Sequence, residues 1–238
     1  MKLFRVKAVI YKDFKEILRN PSLYFMIIMP ILLALYFKFL SASLASEGST
    51  ESFNDLLVYI IIAFSLTMPL GCITISILAE ENEKGTLQSL IETPLKPVEL
   101  LLGKAFLGTV SSLITSVISL IALGIPFNIQ WHDYLSLLLY IAMIICFALG
   151  FGLITKTIGQ SAFFIFIVLI LSMTLFVEIF KSANVSNILI YLLNYFPMNI
   201  AFFIHIHKEP FQLFYLLLWF LLSAIFLFVI YRFKTRKI

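Results

Sequence analysis

The chain has 238 residues, of which 61% are hydrophobic and only 13% charged, with a formal net charge of +4 and a mean hydropathy of +1.04. Soluble domains carry roughly 25% charged and roughly 45–50% apolar residues, so an ordinary water-soluble fold is excluded. The length accommodates about six apolar runs of bilayer size and little else, so residues 1–238 are read as a single transmembrane domain.

Residues 1–20 interleave charge with apolar side chains and lack the continuous apolar core of a secretory signal. On a helical wheel Phe4, Val6, Ile10, Tyr11, Phe14, Ile17 and Leu18 fall on one side, and Arg5, Lys12, Asp13, Glu16 and Arg19 on the other. That pattern predicts an amphipathic helix lying in the headgroup region of a membrane. Asn20 suits a helix cap and Pro21 a first helical position, so the chain should turn sharply into the next element.

Apolar runs of spanning length follow at Leu23 to Leu40, Leu56 to Leu78, Val98 to Leu123, Tyr134 to Ile154, Ala162 to Phe180 and Phe211 to Tyr231. All six are predicted helices, because a span in lipid must satisfy its own backbone hydrogen bonds. Residues 187–206, NILIYLLNYFPMNIAFFIHI, form a further apolar stretch, but Pro197 divides it into halves of about 10 residues, too short to cross about 30 Å of hydrocarbon. They are predicted to form a re-entrant pair of short external helices before the sixth span. The expected fold class is an all-α polytopic membrane protein.

Basic residues set the orientation. With the N-terminus in the cytoplasm, the inner segments hold Lys2, Arg5, Lys7, Lys12, Lys15, Arg19, Lys84, Lys96, Lys104, Lys156, Arg232, Lys234, Arg236 and Lys237, fourteen of the 17 Lys and Arg residues. Only Lys181 and Lys208 remain outside, with Lys38 able to snorkel from the outer end of the first span. A seventh span would carry the last basic cluster to the wrong side. The basic charge therefore marks membrane orientation rather than nucleic-acid binding, and both termini are expected in the cytoplasm.

On that inner side lies AEENEKGTLQSLIETPLKP, residues 79–97. Gly85 should end or bend the second span, Thr86 should cap a short helix carrying Leu87, Leu90 and Ile91 on one face, and Thr93 with Pro94 should stop it. Pro97 and Glu99 then open the third span. The acidic shoulder of Glu80, Glu81, Glu83 and Glu92 is ill suited to an anionic leaflet and better suited to a protein groove with basic residues.

Glu81, Glu83, Gly85 and Thr86, followed by Leu90, Thr93, Pro94, Glu99, Gly103 and Lys104, resemble the signature of permease subunits in the type-2 family of ATP-binding-cassette (ABC) exporters. Arg19, Asn20 and Pro21 with Pro30 resemble that family's approach to span one, and the predicted external pair resembles its external helices, so the likeness covers nearly the whole chain. The resemblance implies that residues 80–97 form a coupling segment, with Glu80, Glu81, Glu83, Gly85, Thr86, Leu87, Leu90, Ile91 and Pro94 meeting an ATPase. It implies two copies of an ATP-binding subunit that hold ATP and Mg, a second permease, identical or homologous, and a place in a bacterial cell membrane. Asn82 departs from the family pattern, which is often basic there.

Other chemistries find little support. Gly103 and Lys104 do not form a phosphate-binding loop, because Val98 stands where its first Gly belongs and Ala105 where its Ser or Thr belongs, so ATP chemistry is assigned to the partner. An ion-coupled secondary transporter would place ionisable groups in the middle of its spans, which lack them here. An intramembrane metalloprotease would need a motif such as H-E-x-x-H, which is absent. Cys72 and Cys146 lie inside apolar runs, away from any disulfide or metal pattern. His132, His205 and His207 are expected to be interfacial, since no carboxylate or cysteine stands at ligand spacing in their own segments. Glu178 and Lys181 are read as a helix-surface pair. The cargo is expected to be hydrophobic or amphipathic: a drug, a peptide or a lipid.

Overall fold

The computed structural model describes residues 3–45, 51–87, 97–126, 129–173, 193–208 and 210–235. The helices are α1 (Leu3–Arg19), α2 (Pro21–Ala45), α3 (Glu51–Thr67), α4 (Ile73–Glu83), α5 (Pro97–Leu123), α6 (Trp131–Ile154), α7 (Ile158–Met173), α8 (Pro197–His207) and α9 (Leu213–Thr235). No strand occurs among the described residues. The predicted break at Asn20 is built as expected: its Oδ1 accepts from the Ser22 backbone N–H at 3.2 Å and from the Ser22 hydroxyl at 2.6 Å, and Pro21 opens α2.

Five helices among the described residues are long and apolar enough to cross a membrane: Pro21–Ser43, Phe53–Glu83, Glu99–Leu123, Trp131–Ile154 and Pro210–Lys234. The fifth predicted span begins at Ile158 rather than Ala162, and its described part, α7, has 16 residues. The rest of that prediction, with Glu178 and Lys181, lies outside the described residues. So does the first part of the predicted external pair; Pro197 does start a separate helix, which at 11 residues is too short to cross a bilayer. Lys208, with φ of 57°, ends it.

The second span is the core. In its most apolar stretch 89% of residues are buried, against 11% in the last span, whose Phe214, Leu218, Leu222, Ile225 and Phe228 face outward. The span is one rod in two halves, α3 and α4, joined by the π-helical residues Met68–Cys72. Pro69 explains the join: it has no N–H to give to the carbonyl four residues back, and its ring crowds that carbonyl, so the backbone widens for one turn. Side chains stitch the join to its neighbours through Thr67 and the Tyr140 hydroxyl at 2.8 Å, and through Ser65 and Ser116 at 2.8 Å.

The bundle has two polar ends. At the end distal to α1, the buried Asp133 at the start of α6 accepts from the Gln130 backbone N–H through Oδ2 at 2.8 Å and from the Tyr59 hydroxyl through Oδ1 at 3.1 Å, and His205 Nδ1 also lies 3.0 Å from Oδ2. His205 Nε2 lies 3.9 Å from Asp55. Carboxylates from two other segments thus surround a histidine whose own segment offers none. The basal end, where α1, α4 and the last turn of α9 meet, holds the segment that the sequence singled out.

Candidate functional site

Four consecutive residues at the end of α4 each reach a different neighbour, because successive side chains on a helix point about 100° apart. Glu80 pairs with Lys84 on the exposed side. Glu81 points inward, 1% exposed, and its Oε1 receives the Lys104 ammonium of α5 at 2.6 Å and also the Lys12 ammonium of α1. Asn82 donates from Nδ2 to the carbonyls of Gly152 at 3.0 Å and Thr155 at 2.7 Å, capping the end of α6, and its Oδ1 accepts from Lys234 of α9. Lys234 also donates to the Leu153 carbonyl at 2.7 Å. Glu83 Oε2 accepts from the Ile158 backbone N–H at 2.7 Å, placing a carboxylate on the amino end of α7, where the helix dipole favours it.

The first of these links is a buried charge cluster. Lys104, 1% exposed, donates to Asp13 Oδ1 at 2.7 Å as well as to Glu81. Burial pushes the Asp13 carboxyl up to about 6 although the Lys104 ammonium pulls it down. Buried oxygens Asp13 Oδ2, Glu16 Oε2 and Glu81 Oε2 have no hydrogen-bond partner among the described residues. Asp13, Glu16 and Glu81 bring carboxylate oxygens within 4.8 Å of one another, close enough for a cation, but the ammonium groups of Lys12 and Lys104 already hold Glu81 Oε1 and Asp13 Oδ1. Gly103 makes the approach possible: a Cβ there would lie 2.9 Å from Val9 Cγ1, so α1 can seat against α5 only without it.

Three expectations change here. The wheel puts Asp13 on the polar side of α1; it is instead buried with Val6, Val9 and Ile17, while Tyr11, Phe14 and Leu18 are exposed. A wheel sorts residues by polarity and cannot register that Lys104, 91 positions on, neutralises one of them. Glu81 is expected to face a basic partner; its Oε1 is instead held by two of the chain's own lysines, the buried Lys104 and the partly exposed Lys12. Leu87, expected on the docking face, is likewise turned in, packed with Leu78, Ala105, Leu149 and Leu153.

Gly85 behaves as expected, ending the helix with φ of +70°, a conformation that disfavours any side chain. Lys84 N–H returns to the Glu80 carbonyl at 3.0 Å and Gly85 N–H to the Asn82 carbonyl at 3.2 Å. The Thr86 hydroxyl lies 3.4 Å from the Glu81 carbonyl; the helix it is expected to cap lies outside the described residues. Leu90, Ile91 and Pro94 lie outside the described residues. Asn82 and Lys234 are the participants that sequence reasoning missed; the available signal was a polar residue between two acids at a helix end, facing a basic residue in the last turn of another span.

Apolar helices of bilayer length, tied at one end by buried ion pairs, define a multi-pass membrane protein. The sequence model of the ABC-2 type transporter family matches residues 5–202, so the chain belongs to that family. It is also similar to the probable multidrug ABC transporter permease YbhS of Escherichia coli strain K12, with 32% identity over 95 residues, 38% of this chain and 24% of that protein. The same protein from Escherichia coli O157:H7 matches to the same extent. The alignment thus covers about a quarter of the length of these relatives.

Proposed function

We propose that this chain is the permease subunit of an ATP-driven exporter in a bacterial cell membrane, with the basal end and both termini in the cytoplasm. Two copies of a separate ATP-binding subunit would hold ATP and Mg, and a second permease, identical or homologous, would complete the path. The cargo is hydrophobic or amphipathic, in keeping with spans that carry no midplane charge and with the multidrug designation of the related Escherichia coli permease.

The observation that carries this reading is the convergence on Glu81, Asn82 and Glu83, which tie α4 to α1, α5, α6, α7 and α9 immediately before the turn at Gly85. A push on residues 86–96 would enter the bundle where polar contacts link its basal ends. In this reading Leu90 and Ile91 dock in the ATPase, Pro94 ends the docking helix, Glu80 and Glu83 stand near its rim, and Glu81 and Leu87 transmit from within. Leu90→Asp would bury an unpaired carboxylate at the interface, at a cost of several kcal/mol, enough to dissociate a micromolar complex. Glu83→Gln changes a rim charge worth up to about 1 kcal/mol, so assembly should persist. Pull-down of the ATPase, scored only for variants that insert and fold, tests this. Full retention of the partner by Leu90→Asp would refute the docking assignment, and so would saturable ATP hydrolysis by the pure chain for the division of labour.

A further inference from the structure

At the distal end, the turn before α8, one face of α8 and the short turn Pro210–Gln212 that leads into α9 line an open cavity of about 520 Å³. That is within the range of roughly 300–1,000 Å³ typical of small-molecule sites. Its walls are largely rings. Tyr195 and Tyr215 meet edge to face with centroids 5.6 Å apart, and Phe203 stacks on His207 at 5.8 Å. Phe211, 76% exposed, forms the rim, and the buried Ile200 forms the floor. Asn194 and Gln212 supply amide groups, and the described lining contains no lysine, arginine or carboxylate.

Several contacts fix this arrangement. Trp219 of α9 donates from Nε1 to the Tyr195 carbonyl at 2.9 Å and packs on Phe196 with centroids 6.0 Å apart. Asn199 of α8 donates to the Leu193 carbonyl at 3.0 Å. The turn that carries Tyr195 is therefore held from both helices that flank the cavity.

We propose that this cavity binds a lipophilic organic cation. Ring faces carry the negative lobe of the aromatic quadrupole and attract a soft, weakly hydrated cation, while the apolar floor takes its hydrocarbon part. The Asn194 amide can orient the charge, and among the described lining residues an anion would find no ammonium or guanidinium. The cavity's role as an exit site for cargo rests on the permease reading above, whereas binding itself is measurable without the ATPase.

Trp219 provides the reporter. The full chain carrying Trp131→Phe, reconstituted in nanodiscs, retains one of its two tryptophans, beside the cavity. Titration with tetraphenylphosphonium should quench its fluorescence saturably, and the neutral triphenylphosphine oxide should bind at least tenfold more weakly. Tyr215→Leu and Phe203→Leu should each weaken tetraphenylphosphonium binding roughly 3- to 30-fold, the range expected for one cation–ring contact. Tyr215→Phe, which keeps the ring, should bind within about twofold of the parent. Absence of saturable quenching, equal affinity for the phosphine oxide, or undiminished binding in both leucine variants would overturn the proposal. Loss of ATPase pull-down by the parent chain would count against the permease reading and leave these binding results intact.

Discussion

Replacing Lys104 by Met keeps most of the stem and deletes an ammonium group that lies 2.7 Å from Asp13 and 2.6 Å from Glu81, where water has no access. Removing one partner of a buried ion pair typically costs about 3–5 kcal/mol, because the other charge is stranded. Two features reduce the cost here. Lys12 still pairs with Glu81, and Asp13, whose pKa is about 6 even with Lys104 present, can take up a proton. The expected loss near pH 7 is therefore about 2–3 kcal/mol. Adding Asp13→Asn removes the stranded carboxylate, and the double variant should recover at least about 1 kcal/mol of that loss. Unfolding of the purified chain by an SDS titration, followed by tryptophan fluorescence, measures all four corners of the cycle. A loss below about 0.5 kcal/mol for Lys104→Met, or no recovery in the double variant, would refute the account of this cluster.

The same carboxyl predicts a pH dependence: folded Asp13 keeps its proton to about pH 6, whereas the unfolded group releases it near 3.8, so stability from this group is present at low pH and lost as pH rises through that window, by up to about 3 kcal/mol. The stability of Asp13→Asn relative to the parent should accordingly increase from pH 4.5 to pH 7, and a flat difference would show that Asp13 does not titrate there. Glu83→Ala should free the Ile158 amide and speed hydrogen exchange at the start of α7 by about tenfold, with Glu83→Gln intermediate; exchange unchanged in Glu83→Ala would mean that the cap contributes nothing. A cysteine introduced at Ser49 should react with an impermeant maleimide in intact cells and one at Thr235 should not, and labelling at Thr235 without permeabilisation would reverse the orientation.

What sequence reading captured is what short stretches of chain decide for themselves. The Asn20–Pro21 break, the start of α5 at Pro97, the end of α4 at Gly85 and the start of α8 at Pro197 follow from local backbone chemistry and appear where expected. The apolar runs appear because hydropathy is additive along a helix. Pairings across the bundle were not legible. Glu81 finds Lys12 and Lys104, Asn82 finds Lys234, and His205 finds Asp133 and Asp55, each across a long stretch of chain. The inward turn of Leu87 was hidden for the same reason, since its neighbours Leu149 and Leu153 belong to α6. An amphipathic wheel assumes that charge seeks water, which holds only until another helix brings the opposite charge.

The π-helical residues Met68–Cys72 have a mechanical consequence. Widening the helix by one residue shifts the angular phase of α4 against α3 by roughly 100°. The lower half is gripped at Glu81, Asn82 and Glu83, and the upper half is pinned through Tyr59 to Asp133. Within this span the two halves are joined by a single turn whose hydrogen-bond ladder is interrupted at Pro69. A residue inserted or deleted in that turn would re-index one grip against the other by roughly 100°.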